Sequence, residues 1–255
     1  THFFFQPMRQ LVRTPADISL EFQDVYIEVG QNIKLHGWFL PAQHSKATVV
    51  FLHGNGENIS THISSVRWLP EQGFNVFLFD YRGYGKSSGT INLQESIQDT
   101  RIVIDFIRRR DDVREGKLFL FGQSLGGAIA INALANGAFQ SRVNALIVDS
   151  SFSNFRRIAR EKLALSWMLW PFQYPLSWTI TANYAPEDVI AGISPIPILI
   201  IHGTADKIIP VQHGRRLFLA AKNPVEFWEI SGGEHIKFVL SPSYREKFIN
   251  YLLNH

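Results

Sequence analysis

No cysteine occurs among the 255 residues. That excludes disulfides, a thiol nucleophile and thiolate metal sites together, although a disulfide-free chain can live on either side of a membrane. No apolar run is long enough to cross a bilayer, and there are no internal repeats or low-complexity tracts. The nine histidines include no i, i+4 pair of the kind that grips a metal. A concentrated basic face is also missing. Only 25 Lys and Arg stand against 22 Asp and Glu, giving a net charge of +3 and a pI near 9.2. The one basic cluster, Arg108-Arg109-Arg110, runs straight into Asp111-Asp112 and reads as a solvated helix end. A nucleic-acid partner is therefore not expected. Nucleotide loops fail on their glycines. Asp80 stands where a phosphate-binding loop ending Gly85-Lys86-Ser87 needs its first glycine, and Ile59 stands where Gly54-Asn55-Gly56 would need the third of a dinucleotide fingerprint. No cofactor and no metal is called for.

What is present is an ordinary globular composition, 45% hydrophobic and 18% charged, in a chain long enough for one large core. A single domain over 1–255 is expected. Eight strands are predicted: Asp24 to Glu28, Ile33 to Leu40, Ala47 to Leu52, Asn75 to Phe79, Lys117 to Phe121, Ala145 to Asp149, Ile198 to Ile201 and Glu226 to Ile230. The first two alternate like a partly exposed antiparallel edge, joined by a turn at Gly30-Gln31-Asn32. The later ones are unbroken apolar runs, as in a sheet with helices on both faces. A helix is predicted over Leu93 to Arg110, burying Ile97, Ile102, Ile104, Phe106 and Ile107, and another over Pro242 to Leu253. Ser60, inside an Asn58-Ile59-Ser60 sequon, reads as a helix N-cap.

The chemistry sits at the ends of these strands. Gly122-Gln123-Ser124-Leu125-Gly126 lies between a strand and a helix-forming run, the setting of a nucleophile elbow. Its glycines leave room for backbone that a strained strand-to-helix turn brings very close. The same serine also fits a plain helix N-cap. After Ile198 to Ile201 comes Gly203-Thr204-Ala205-Asp206, and after the last strand comes Gly232-Gly233-Glu234-His235. Ser124, Asp206 and His235, each just past a strand's carboxyl end and in that order, form a nucleophile–acid–base set. Asp206 also fits a helix cap before Pro210, and Asp149, closing the preceding strand, is a rival for the acid. The glycine-rich turn His53-Gly54-Asn55 follows an early strand. The backbone N–H groups of Asn55 and Leu125 are the expected oxyanion donors. His53 and His202, each before a glycine at a strand end, read as structural.

These residues, with Asn58 and the run Asp80-Tyr81-Arg82-Gly83-Tyr84-Gly85-Lys86-Ser87-Ser88-Gly89, make the chain resemble the α/β-hydrolase superfamily, and within it the BEM46-like group. The matching positions extend from the first third of the chain to near its end. The resemblance implies a mostly parallel eight-stranded sheet with helices on both faces and a Ser-His-Asp hydrolase of esters, thioesters or amides. Relatives often carry an N-terminal membrane anchor or lipidated leader, so membrane association through a segment preceding Thr1 is expected. In folds of this shape an insertion after the sixth strand is a cap, here about 152–190. It holds three of the six tryptophans. Trp167, Met168, Trp170 and Phe172 are the expected lining of an apolar acyl pocket. The partner is then a small-molecule or lipid-like acyl substrate. A carboxylesterase, lipase or thioesterase leads, with a serine peptidase or amidase on the same residues, or a silent binding protein, as alternatives.

Overall fold

Strands covered on both faces need apolar side chains at every position, and those facing solvent need alternation. All eight predicted strands form, with bounds within two residues of the expectation. The computed structural model describes residues 4–113, 115–135, 137, 139–165, 168–180 and 183–255. Two short strands, β1 (Gln6–Pro7) and β5 (Gly56–Glu57), pair in parallel. The main sheet holds β2 (Gln23–Gly30), β3 (Ile33–Leu40), β4 (Ala47–Leu52), β6 (Phe74–Phe79), β7 (Lys117–Gln123), β8 (Ala145–Asp149), β9 (Ile198–Gly203) and β10 (Val225–Ile230). Its order is β10-β9-β8-β7-β4-β6-β3-β2. β3 runs antiparallel to both β2 and β6, and every other pairing is parallel. The turn from β2 to β3 places Asn32 at φ 58°, a left-handed position that asparagine tolerates.

Between the strands lie α1 (Ile59–His62), α2 (Leu93–Arg108), α3 (Leu125–Leu134), α4 (Phe155–Ala164), α5 (Gln173–Trp178), α6 (Pro186–Val189), α7 (Gln212–Ala220) and α8 (Pro242–Asn254). Alternate residues of the central strands feed two cores. Val50 and Leu52 of β4 join the side covered by α2 and α3, whereas Val49 and Phe51 join the side covered by α1 and α8. α3 is buried along its whole length, so its Gly-Gly-Ala-Ile-Ala sequence has no polar face.

Two sequence expectations need correction. In α2 the buried stripe is Ile97, Val103, Ile104 and Ile107, with Ser96, Asp99 and Thr100 also inside, while Ile102 and Phe106 lie on the exposed flank. Residues two apart on a helix differ by about 200°, so Ile102 cannot share a face with Ile104. The N-cap of α1 is Asn58 and not Ser60. Asn58 Oδ1 accepts from the Ser60 backbone N–H at 3.0 Å, and Ser60 sits in the first turn.

β4 passes so close to α3 that a Cβ at Gly126 would stand 2.2 Å from the Leu52 carbonyl oxygen. Gly126→Ala is therefore expected to cost about 3 kcal/mol of stability. Gly56→Ala, with nothing within 4 Å of the added carbon, should stay within about 0.5 kcal/mol. Denaturant midpoints read both, and equal midpoints would contradict this account of the packing.

Candidate active site

β4 and β7 are neighbours, but the chain leaves them in opposite directions, toward β6 and toward β8. Their carboxyl ends border the crevice where strand order reverses, which is where open α/β sheets place ligands. The turn after β7 carries Ser124 at φ 53°, ψ −117°. A non-glycine residue holds such a conformation only where its surroundings over-determine it. Here the Ser124 N–H donates to the Asp149 carbonyl at 2.9 Å, and its own carbonyl accepts from Ser151 Oγ at 2.7 Å. Ser124 takes the N-cap position of α3, yet its hydroxyl makes no capping bond. The side chain is left half-buried against a pocket.

The turn after β4 is braced from outside. Tyr81 Oη donates to the His53 carbonyl at 2.9 Å, and Tyr84 Oη donates to the Asn55 carbonyl at 2.6 Å. The Gln6 N–H reaches Asn55 Oδ1 at 2.9 Å, and Asn58 Nδ2 ties down the carbonyls of Met8 and Gln10. Asp80 Oδ1 accepts from the Ile59 N–H at 2.9 Å, with His53 Nε2 at 3.6 Å. The Asp-Tyr-Arg-Gly-Tyr-Gly run is thus a scaffold for this turn. His53 is fully buried and, as expected, structural: burial drives its pKa well down.

His235 Nδ1 lies 2.6 Å from Asp206 Oδ2. The other carboxylate oxygen, Oδ1, accepts the N–H groups of Ile208 and Ile209, each at 2.8 Å. Burial alone would raise the Asp206 pKa. Hydrogen bonds from His202 and His235, the charge of His235 and the Ile209 N–H together outweigh it and hold the carboxyl well below its ordinary value. Asp149 is differently placed. Its oxygens accept from Gln123 Nε2 at 2.8 Å and Ser150 Oγ at 2.9 Å, and burial pushes its pKa up to about 6. The imidazole pairs with Asp206 and not with this rival. Ser150 Oγ then accepts the Ile236 N–H at 3.1 Å, which ties the His235 loop back to the end of β8. α8 supports the same loop through Phe248 on Phe238, 5.4 Å between ring centres.

Sequence reasoning missed His62. A Cβ at Gly54 would stand 3.3 Å from His62 Cε1 and 3.6 Å from Ser124 Cβ, so this ring flanks the serine. Its Nε2 faces the Gly56 carbonyl at 3.1 Å. Burial lowers its pKa, and the nearby charge of His235 adds to the effect. A neutral imidazole bracing a loop has no spacing signature that a single sequence would reveal.

The pocket at Ser124 has a volume of about 130 Å³ and is lined by Asn55, Leu125, Phe4, Phe152, Ile158, Lys162, Ile208 and Ile209. Larger grooves exist elsewhere, about 600 Å³ beside Tyr26 and Phe106 and about 520 Å³ behind the Gly232-Gly233 turn, but neither borders Ser124. Met168, Trp170 and Phe172 are not among the lining residues of the serine pocket. They are exposed at 63, 59 and 55%, and Trp167 lies outside the described residues. The lining from the insertion is instead the inner face of α4, with Phe152 before it. The N-terminal Phe4, packed edge-on against Phe155 at 5.1 Å, closes one side.

A family model described as serine aminopeptidase, S33, matches residues 43–191, more than half of the chain. The uncharacterized protein YfhR of Escherichia coli O157:H7 is 40% identical over 99% of this chain and 87% of its own length. The chain belongs to the α/β-hydrolase superfamily. Consistent with a BEM46-like group, bem46 of Schizosaccharomyces pombe is 26% identical over 81% of this chain and 68% of that one. The α/β-hydrolase fold is matched by the Pyrococcus furiosus esterase Pf2001 at a TM-score of 0.76 and 24% identity, covering 98% of this chain and 96% of that one.

The brace of this hydrolase fold carries a titratable group with a readable consequence. Burial pushes the Asp80 carboxyl up to about 7. Between about pH 4 and that value the folded chain holds a proton that the unfolded chain has lost, so stability falls as pH rises across the window. The slope from one such group is at most about 1.4 kcal/mol per pH unit. Asp149 acts in the same direction up to about 6. Asp80→Asn keeps the acceptor for Ile59 and should shrink the stability lost between pH 4 and 7 in denaturation series. An unchanged loss would overturn the assignment.

Proposed function

We propose that this chain is a serine hydrolase of carboxylic esters or thioesters, with Ser124 as nucleophile, His235 as base, Asp206 as its partner and an acyl-enzyme as intermediate. The observation that carries this reading is the 2.6 Å bond between His235 Nδ1 and a carboxylate held ionised, together with a strained serine at the end of β7 whose hydroxyl makes no capping bond.

In this mechanism His235 Nε2 takes the Ser124 proton as Oγ attacks the carbonyl, and returns it to the leaving alkoxide or thiolate. Asp206 fixes the Nδ1–H tautomer and stabilises the imidazolium. The N–H groups of Asn55 and Leu125 receive the oxyanion, each contributing about 3 kcal/mol in comparable sites. Water repeats the sequence on the acyl-enzyme and frees the acid. The low pKa of Asp206 supports its role, because a carboxylate that resists protonation keeps the imidazole correctly oriented over a wide pH range.

The pocket favours an apolar acyl group of limited bulk. Its volume of about 130 Å³ is close to that of cavities that hold a benzene ring, and its walls are mainly Phe and Ile. The family model's name makes aminopeptidase activity the second reading. That chemistry wants a carboxylate for the substrate's ammonium group, and among the described lining residues the one charged side chain is Lys162. This favours esters over N-terminal amides.

Fluorophosphonate labelling should be abolished in Ser124→Ala, and persistence of the label would falsify the nucleophile assignment. Asp206→Asn should lose about 10⁴-fold in kcat, and Asp149→Asn far less. The opposite ranking would transfer the acid role to Asp149. On p-nitrophenyl esters, kcat/KM should rise from acetyl toward hexanoyl, and a maximum at acetyl would reject the apolar pocket. Turnover of aminoacyl amides exceeding that of esters would favour the peptidase reading.

A further inference from the structure

The insertion carries an apolar surface that the serine pocket does not use. From Leu163 to Pro186 the sequence has no charged side chain. Within that stretch Leu165 and Trp178 are exposed at 78 and 67%, alongside Met168, Trp170 and Phe172. α5 and the turn at Trp170–Phe172 pack on α4 and on each other, so these side chains belong to one small body. Exposed apolar surface on this scale marks an interaction site.

The residue types and the border narrow the partner. Trp and Tyr, with apolar rings and a polar edge, are the side chains favoured at a membrane–water boundary. The border is cationic. Arg156 Nε donates to the Ile180 carbonyl at 2.7 Å, and the Arg160 guanidinium sits 5.1 Å over the Tyr174 ring, so both charges flank the aromatic stretch. Of the carboxylates on α4 and α6, Glu187 is paired with Arg157 at 2.6 Å and Glu161 with His213 at 2.9 Å, while Asp188 is exposed. An aromatic face rimmed by arginines complements an anionic lipid surface. A face of this kind lies on a bilayer and does not span it. Ile158 and Lys162 of the same α4 line the Ser124 pocket, beside the half-exposed Ile208.

We propose that this outer face of the cap docks on the surface of an anionic lipid bilayer and sets the mouth of the Ser124 pocket against it. The docking does not require turnover. Its link to a lipid-borne acyl substrate rests on the hydrolase reading above.

Flotation of the Ser124→Ala chain with vesicles separates the two, since it reads binding without catalysis. Binding is expected to phosphatidylcholine vesicles containing phosphatidylglycerol, and weaker binding to pure phosphatidylcholine. Leu165→Ser combined with Trp178→Ser should reduce binding more than about tenfold. Arg160→Gln should reduce it about fivefold on the anionic vesicles alone. The double variant alters exposed groups and Arg160 is partly exposed, and denaturation midpoints check that each variant keeps the fold. Three results would overturn the proposal: no binding by the parent chain, equal binding by parent and double variant, or a concentration-dependent dimer abolished by the double variant, which would assign the face to a second copy. Hydrolysis of a water-soluble ester by the chain with Ser124 intact decides the catalytic reading independently.

Discussion

The site depends on how closely β4 runs past the first turn of α3. An added carbon at Gly126 would meet the carbonyl oxygens of Leu52 and His53 at 2.2 and 2.6 Å, and one at Gly122 would meet the Gly126 carbonyl oxygen at 2.5 Å. These are contacts between backbones, so no side-chain rearrangement relieves them. They fix the turn after β4 against the elbow after β7, and Asn55 and Leu125 consequently border the same pocket. The left-handed Ser124 is one product of this approach. The chain must reverse sharply at the end of β7 for α3 to lie under β4 without pushing it aside.

Rigidity at one point has to be met by rigidity around it. The turn after β4 presents its carbonyls outward, and buried carbonyls need donors. Two tyrosines from the loop after β6 supply them, while Asn58 fastens the N-terminal segment across the same turn. The acidic groups follow a related logic. Asp149 and Asp206 both stand at or just beyond strand ends and both are buried, yet their protonation tendencies diverge. Asp149 faces neutral donors, and burial wins. Asp206 faces two imidazoles and two backbone N–H groups, and the charged form wins. One fold thereby keeps one carboxylate as an ion beside His235 and another as a structural group that links Gln123 to the end of β8.

The sheet was legible because its strands are unbroken apolar runs between glycine-rich turns, a pattern that helices of this length rarely imitate. The elbow and the Asp206 and His235 loops were legible because each follows such a strand. Other features were hidden for physical reasons. Helical periodicity in α2 is blurred, since Ile102 and Phe106 are as apolar as the residues that are buried and cover a surface groove near Tyr26. From sequence the cap of α1 reads at Ser60 because Asn58, two residues earlier, is an equally short polar residue, and only the hydrogen bond from the Ser60 N–H to Asn58 Oδ1 shows which one caps. Phe4 reaches the pocket and His62 the flank of Ser124 through contacts remote in sequence, and local pattern carries no trace of such contacts.

The insertion shows where composition stops being informative. Its aromatic content suggests a lining for the serine pocket, but a count of rings does not say which way they face. α4 turns Phe155, Ile158 and Ala159 toward the sheet, and with Phe152 and the N-terminal Phe4 they fill the space beside Ser124. Once that inner face is complete, α5 and the turn before it pack on the outside of α4, and Trp170 and Trp178 turn outward. A small pocket lined by α4 and exposed aromatic side chains outside it are two consequences of the same packing. The first limits what is held at the serine, and the second supplies a surface through which the protein can be brought to its substrate.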